Sequence, residues 1–230
     1  MRKWAIFGIF WIIIFYPSFV FTAFSDKTIE NTKSAVVALY ADEDLNYLRG
    51  SGFFIDSSGA VITAKHVVRN YPKLWARLYD GRKLELTQAR FQESDDLAIM
   101  LPKISENEKN AFSYLKFGDI DNLTIGQPIM AIGNSSGGLW QVLYGSIENL
   151  RIKIVTENDL IFTAIEFNII IPKGFSGSPL VNENGEALGM NIANSKASLG
   201  YNLSYAISLI EIKSFIKKFY QKSPELIKKF

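Results

Sequence analysis

The chain carries a single histidine, His66, and no cysteine, which narrows the chemistry that its side chains could perform. Protein metal sites commonly gather several imidazoles or thiolates at regular spacing, so we predict neither a metal site nor a cofactor. A lone imidazole can instead serve as the base that takes a proton from a serine hydroxyl. That chemistry also needs a carboxylate behind the imidazole and backbone N–H groups that bind the developing oxyanion.

A serine with suitable surroundings is Ser176, within the segment GFSGSPLV at residues 174–181. Nearby glycines let the backbone turn sharply and approach a substrate closely. Such a loop could aim the N–H groups of Gly174 and Ser176 at one point, where they would bind an oxyanion. Taken alone, the segment also fits an ordinary turn before a strand.

The imidazole and the candidate acids each lie beside an apolar segment. His66 follows VITA at residues 61–64, with GSGFFI at residues 50–55 further upstream. Asp95 and Asp96 directly precede another apolar stretch. Two adjacent acids before a strand also fit a plain solvated turn. A catalytic role for these residues is therefore indicated only when they are considered together with the serine segment.

The segments together resemble known proteases. The Ser176 segment resembles the nucleophile loop of trypsin-like serine proteases, and the segments around His66 closely resemble the HtrA/Deg family within that group. The resemblance implies that His66, Asp96 and Ser176 form a catalytic triad, in the chymotrypsin order. It selects Asp96 over Asp95, because the acid of the family stands directly before the strand. It also implies that the backbone N–H groups of Gly174 and Ser176 form the oxyanion hole.

The resemblance covers roughly residues 34–220 and includes departures from the family pattern, among them Phe175, which is less usual at its position. Other matching segments are AIGNSSGG at residues 131–138, NGEALGMN at 184–191 and SYAI at 204–207. Ser178 stands where most trypsin-like proteases carry glycine, although bacterial glutamyl endopeptidases carry serine there. Ser135 replaces a proline of the family's turn.

Short apolar runs separated by turn residues predict an all-β fold. The resemblance specifies it as two antiparallel six-stranded β-barrels with a cleft between them. A C-terminal amphipathic helix is predicted from the spacing of its apolar residues, with lysines on the other faces: Ile212, Phe215, Ile216 and Phe219. The predicted strands are residues 35–40, 50–55, 60–64, 74–79, 97–101, 128–132, 139–150, 160–171, 179–182, 187–193 and 203–207. Asp-Ser-Ser-Gly at 56–59 and Asp-Gly at 80–81 favour hairpin turns.

The domain organisation follows from these segments. The expected units are a signal peptide or membrane anchor at 1–25, a protease domain at 26–220 and a tail at 221–230. Within the domain we expect a first lobe at 34–102, a linker at 103–122, a second lobe at 123–207 and a terminal helix at 208–220. The chain ends at Phe230 without a PDZ domain, which many HtrA proteins carry, so we expect no regulation through one.

Substrate specificity can also be predicted from the resemblance. In trypsin-like folds the residue six positions before the nucleophile lies at the base of the pocket for the substrate side chain, which here is Ile170. The facing wall is expected from Asn191, Ile192 and Ala193. Without an acid at the base, a bound lysine or arginine would be buried unpaired. We therefore predict cleavage after Val, Ala, Leu or Ile, with the alternative that Ile170 is simply a core residue.

The N-terminus favours export. Arg2 and Lys3 precede an apolar run that extends with interruptions over residues 4–24, which is typical of a secretory signal. A cleavage site after Ser25 would leave the chain periplasmic or extracellular. The alternative is an uncleaved anchor, since the run approaches the length that spans a bilayer.

Composition limits the partners. A formal net charge of +2 gives no indication of a nucleic-acid partner, and the expected partner is a protein or peptide substrate. The predicted function is a serine endopeptidase that works through an acyl-enzyme intermediate. Two other functions stay open, namely a catalytically silent binding protein on the same fold and a membrane-tethered interaction protein. The oligomeric state cannot be predicted from the sequence.

Overall fold

The computed structural model describes residues 24–92, 96–104, 112–155, 161–194 and 203–222. The predicted signal or anchor therefore lies almost wholly outside the described residues. No helix within the described ranges is long and apolar enough to cross a membrane.

The first barrel is closed by six antiparallel strands in the order β1-β2-β3-β6-β5-β4. Its elements are α1 (Asp26–Ala35), β1 (Val36–Tyr40), β2 (Leu48–Phe54), β3 (Val61–Ala64), α2 (Lys65–Val68), β4 (Lys73–Arg77), β5 (Lys83–Gln92) and β6 (Leu97–Pro102). Every residue of β1 and β3 is buried, which explains why these strands are continuous apolar runs rather than alternating ones.

The second barrel is closed in the same way, in the order β10-β11-β12-β9-β8-β7. Its elements are β7 (Pro128–Ser135), β8 (Gly138–Val155), β9 (Ile161–Phe167), β10 (Pro179–Val181), β11 (Ala187–Asn194) and β12 (Ser204–Ser208), followed by α3 (Leu209–Lys222). The prediction of two six-stranded antiparallel barrels with a C-terminal helix is thus confirmed.

The two predicted hairpin turns have the local chemistry that was expected of them. Asp56 accepts the backbone N–H of Ser58 at 2.8 Å, and Gly59 adopts a positive φ of 87° before β3 begins. Gly81 has a φ of 90° between β4 and β5. Few other residue types adopt this left-handed conformation without strain, so glycine at these positions sets the turn.

Besides the four-residue helix α2, two longer elements differ from the sequence-based prediction. The polar segment before β1 is a helix, α1, which Ser25 caps by accepting the N–H of Thr28 at 3.1 Å. The second is β5, which pairs with β4 and β6 although its sequence is rich in charged and polar residues. Both elements are stabilised by the neighbours on which they pack rather than by a strong pattern of their own.

Side chains of barrel two reach across to barrel one. Trp140 of β8 donates its indole N–H to the carbonyl of Val36 at 2.9 Å, and Asn134 of β7 donates to the carbonyl of Val37 at 3.0 Å. One buried apolar cluster includes residues of both barrels and of α3. The barrels therefore share a core, which fixes their positions relative to each other.

The C-terminal helix packs as its pattern predicts. Ile212, Phe215 and Phe219 are buried, and the lysines lie on other faces. Tyr220 donates to Asp56 at 3.1 Å, and Arg90 donates to the carbonyl of Lys218 at 3.1 Å. The helix that follows barrel two therefore also binds barrel one.

Candidate active site

Asp96 contacts both the backbone and the side chain of His66. β3 pairs with β6 so that Ala64 lies opposite Leu97, which places the residues just beyond Ala64 beside Asp96. One carboxylate oxygen of Asp96 accepts the backbone N–H of His66 at 2.9 Å. The other oxygen lies 2.6 Å from Nδ1 of the imidazole. An ionised carboxylate only accepts hydrogen bonds, so Nδ1 carries the proton and Nε2 is left as the basic nitrogen.

The backbone of Asp96 is itself unusual. Its φ is 52°, in the left-handed region that asparagine and aspartate enter more readily than most residues. Its carbonyl accepts the N–H of Lys65 at 2.8 Å, so main chain and side chain both bind the start of α2. The neighbouring acid, Asp95, lies outside the described residues.

Ser176 lies in a tight loop between β9 and β10. The N–H of Phe175 donates to the carbonyl of Pro172 at 3.1 Å, and the N–H of Ser178 donates to the carbonyl of Phe175 at 2.8 Å. Gly174 and Gly177 have positive φ values of 105° and 88°. A Cβ atom at Gly174 would lie 2.5 Å from the carbonyl oxygen of Asn134, so only glycine fits there.

The loop packs against the strand that leads to His66. A Cβ atom at Gly177 would overlap the carbonyl oxygen of Ser51 and the hydroxyl of Thr63, and would lie 3.1 Å from the backbone nitrogen of Ala64. The loop from barrel two therefore sits directly on β2 and β3 of barrel one, beside the start of α2.

The hydroxyl of Ser176 donates to the carbonyl of Ile192, at 3.0 Å. Within the described part of the chain no hydrogen bond joins it to His66. The backbone N–H groups of Gly174 and Ser176 also donate to no acceptor among the described residues. The structure thus brings His66 and Asp96 together, leaves two backbone donors free in the serine loop, and turns the serine hydroxyl toward β11.

Comparison with known sequences shows the family of the chain. A sequence model of the trypsin-like peptidase domain matches residues 50–190. The chain belongs to this family.

Curated relatives of this trypsin-like domain include HtrA-type enzymes, which confirms the predicted resemblance. A probable periplasmic serine endoprotease DegP-like of Chlamydia pneumoniae is 34% identical over 70% of this chain and 32% of its own length. One of Bartonella henselae is 31% identical over 75% of this chain and 33% of its own length. The chain spans about a third of the length of these relatives.

A solved structure shows the same fold. The HtrA-type protease AlgW with decapeptide superposes with a TM-score of 0.71 at 19% sequence identity, covering 84% of this chain and 66% of that one. Because identity is low, this likeness concerns the fold of the trypsin-like domain.

Ser178, where most trypsin-like proteases carry glycine, has a buried partner. Its hydroxyl accepts a hydrogen bond from the side-chain amide of Asn191 at 2.9 Å, and Asn191 also donates to the carbonyl of Pro179 at 3.2 Å. Asn191 is fully buried, and its amide oxygen contacts no donor within the described ranges. Its side chain therefore faces the interior behind the serine loop, which differs from the prediction that it lines the pocket.

The other predicted pocket residues lie in two different environments. Ile170 is 61% exposed, while Ile169 and Ile171 on either side are buried. The alternative that Ile170 is a core residue is therefore wrong, and its role in substrate recognition stays a prediction. Ile192 is partly buried and meets Ser176 through its carbonyl. Ala193 lies in β11, and its side chain is outside the described part of the chain.

One residue of the trypsin-like domain was overlooked from sequence. Ser51 was noted only as part of a matching segment, yet its hydroxyl bonds to the carbonyl of Gly174 at 2.9 Å. The GSGFFI match places Ser51 near the site. Its contact with Gly174 could not be predicted, because no local sequence pattern reveals that a strand residue faces a loop so distant in sequence. No three His, Asp or Glu side chains among the described residues lie close enough to hold a metal ion.

Proposed function

We propose that this chain is a serine endopeptidase that hydrolyses peptide bonds through His66, Asp96 and Ser176. The observation that carries the proposal is the paired contact of Asp96 with His66, at 2.9 Å to its backbone and 2.6 Å to its ring. A carboxylate that bonds both parts of one histidine sets the tautomer and the orientation of the imidazole, which general-base catalysis requires.

The chemistry begins with a rotation of the nucleophile. Ser176 leaves the carbonyl of Ile192 and turns its hydroxyl toward Nε2 of His66, exchanging one hydrogen bond for another. His66 then accepts the proton while the serine oxygen attacks the scissile carbonyl, and the new C–O bond forms an acyl-enzyme after the amine leaves with the same proton. A water molecule then takes the place of the amine: His66 accepts its proton while its oxygen attacks the acyl carbon, and the bond to Ser176 breaks as the serine oxygen regains that proton and the acid product is released.

The oxyanion is stabilised by the backbone of the serine loop. The N–H groups of Gly174 and Ser176 have no acceptor within the described residues and are thus available to the substrate. Such preorganised donors commonly contribute about 10²–10³ each to the catalytic rate.

Protein or peptide substrates outside the cytoplasm fit this chemistry. The relatives from Chlamydia pneumoniae and Bartonella henselae are named as periplasmic endoproteases. The basic and apolar N-terminus of the present chain matches an export signal or a tether. A fusion of residues 1–25 to alkaline phosphatase tests this location, because that enzyme is active only after export.

A catalytically silent binding protein is the second candidate, and one observation favours it. Ser176 bonds to Ile192 instead of His66, which is the state that an inactive trypsin-fold protein would show permanently. Casein cleavage by the purified chain separates the two functions. We expect wild-type cleavage and its loss in Ser176→Ala by about a millionfold in kcat. Equal cleavage by both proteins would contradict the proposed nucleophile, and no cleavage by either would favour the silent protein.

A further inference from the structure

Ser51 is a fully buried serine in the middle of β2, and all of its hydrogen-bonding capacity is used. Its hydroxyl donates to the carbonyl of Gly174 at 2.9 Å. The same oxygen accepts the backbone N–H of Asn134 at 2.9 Å and its side-chain amide at 3.1 Å. A hydroxyl has one donor and two acceptor sites, so no capacity is left for water.

The backbone N–H and carbonyl groups of Ser51 also form hydrogen bonds. Its N–H donates to the carbonyl of Ser176 at 2.9 Å, and its carbonyl accepts the hydroxyl of Thr63 at 2.6 Å. Ser51 belongs to barrel one, whereas Gly174 and Ser176 belong to barrel two. A single residue of barrel one therefore binds the serine loop of barrel two at two of its carbonyl groups.

The carbonyl groups of the serine loop are held by Ser51 and by a bond within the loop, and each carbonyl fixes the direction of the N–H in its own peptide. The carbonyl groups of Gly174 and Ser176 face Ser51, and that of Phe175 faces the N–H of Ser178. In a trans peptide the N–H points opposite to the preceding carbonyl. Fixing the carbonyl of Phe175 thus directs the N–H of Ser176 away from the loop interior, where it is free for an oxyanion.

Gly174 is the point at which the loop needs outside support. A glycine lacks the Cβ that restricts backbone rotation, so the Gly174–Phe175 peptide can turn over at low cost. With a φ of 105°, this residue lies in a region that most other residue types avoid. The hydroxyl of Ser51 bonds to its carbonyl, and the N–H of the same peptide, that of Phe175, donates to the carbonyl of Pro172 at 3.1 Å, so the two bonds together hold one orientation.

We propose that Ser51 is a positioning residue that holds the Gly174–Phe175 peptide, and thereby keeps in place the serine loop that carries the two oxyanion-binding N–H groups. The proposal rests on the proposed peptidase function. It differs from a merely structural role because its loss should weaken stabilisation of the transition state far more than substrate binding.

The test compares Ser51→Ala with a matched control in the full chain. Thr32→Val also removes a buried hydroxyl that donates to a backbone carbonyl, but the carbonyl is that of Thr28 in α1, at 2.8 Å. We expect Ser51→Ala to lower kcat on a peptide amide by about a hundredfold with KM nearly unchanged. Affinity for a peptide aldehyde, which forms a tetrahedral adduct, should fall in parallel. Thr32→Val should retain the wild-type kcat.

Two further variants keep the proposal testable if Ser51→Ala does not fold. Ser51→Cys fills the site with a slightly larger side chain but is a poor donor, so it should lose kcat as Ser51→Ala does, while Ser51→Thr keeps the hydroxyl and should retain most of the wild-type kcat. A wild-type kcat in Ser51→Ala or Ser51→Cys would overturn the proposal. So would an equal loss of kcat in Thr32→Val.

A structural measurement separates this proposal from the proposed function. If the wild type does not hydrolyse peptides, the ¹H–¹⁵N resonances of Gly174 and Phe175 decide the role of Ser51 alone. We expect single sharp signals in wild type and Thr32→Val, and doubled or broadened signals in Ser51→Ala. Unchanged signals in Ser51→Ala would overturn the positioning role, whatever the activity.

Discussion

Asp96 binds His66 at two points, with one carboxylate oxygen 2.9 Å from the backbone nitrogen and the other 2.6 Å from Nδ1. The first contact fixes the start of α2 against Asp96, and the second fixes the ring on that helix. Orientation of the imidazole and the local backbone are therefore set by the same side chain.

Replacing Asp96 with asparagine should separate these two contacts. The amide oxygen can still accept the backbone N–H of His66, and asparagine tolerates the φ of 52°, so the variant should fold. Its NH₂ group would face Nδ1, which forces the proton onto Nε2 and removes the base. We expect kcat to fall about ten-thousandfold in a peptide amide assay.

The control for this substitution is Asp95→Asn, which should retain nearly full activity because the resemblance selects Asp96, and not Asp95, as the acid that binds His66. If Asp95→Asn were the inactive variant and Asp96→Asn the active one, the acid would have to be reassigned to Asp95.

Gly177 should tolerate no side chain. Gly177→Ala combines a positive φ of 88° with overlap of the new Cβ on Ser51 and Thr63. Gly81→Ala is a matched control, because its φ is 90° and no atom lies within 4 Å of the added Cβ. The control should cost about 1–2 kcal/mol of stability from the backbone alone.

Gly177→Ala should cost distinctly more in urea unfolding and should also reduce kcat, since the serine loop must move away from barrel one. Equal losses of stability in the two variants, with normal activity in both, would show that the loop does not press on β2 and β3 as described.

Ionisation of Tyr220 should make the free energy of unfolding depend on pH in alkaline solution. Burial first, and then the adjacent Asp56 carboxylate that accepts its hydrogen bond, raise the pKa of Tyr220 above the ordinary phenol value. A folded-state pKa above the unfolded one stabilises the fold fully below the unfolded value, about pH 10, and progressively less above it. Wild-type stability should therefore fall more steeply above about pH 10 than that of Tyr220→Phe.

The comparison is made by urea unfolding of the two proteins at a series of alkaline pH values. Burial also raises the pKa of Tyr40, and a hydrogen bond to Glu30 raises that of Tyr79, but both tyrosines are present in both proteins. Parallel stability curves for the two proteins would mean that Tyr220 does not hold its proton more tightly in the fold.

Specificity for small aliphatic residues is the prediction that depends on Ile170. No acid is expected at the base of the pocket, so cleavage should follow Val, Ala, Leu or Ile, and Ile170→Ala should admit Phe or Tyr. The discrimination is worth about 1–3 kcal/mol per methylene. A peptide library measures it, and efficient wild-type cleavage after arginine would reject the pocket assignment while leaving the triad untouched.

Much of this architecture could be predicted because it is encoded locally. The buried strands are continuous apolar runs, the turns carry Asp and Gly, and α3 repeats apolar residues at helical spacing. α1 and β5 lack such patterns, because α1 is polar on most faces and β5 mixes charged residues with apolar ones. They form through capping and pairing with neighbours, which a local pattern does not reveal.

The candidate site also combines residues that a local motif predicts with contacts that no local motif predicts. His66 and Ser176 were predictable from short motifs, whereas the contact of Ser51 with Gly174 joins residues 123 positions apart and exists only when the two barrels close. The hydrogen bond from Ser176 to Ile192 is a choice of rotamer, and no motif encodes which acceptor a hydroxyl selects.

The most direct test of the account is covalent labelling of Ser176 by a fluorophosphonate, read by mass spectrometry of the digested protein. An activated serine reacts with this reagent, whereas an ordinary surface serine does not. We predict a single adduct on the peptide that contains Ser176, greatly slowed labelling in His66→Ala and none on that peptide in Ser176→Ala. Failure of the folded wild type to label, or labelling at the same rate without His66, would contradict the proposed mechanism.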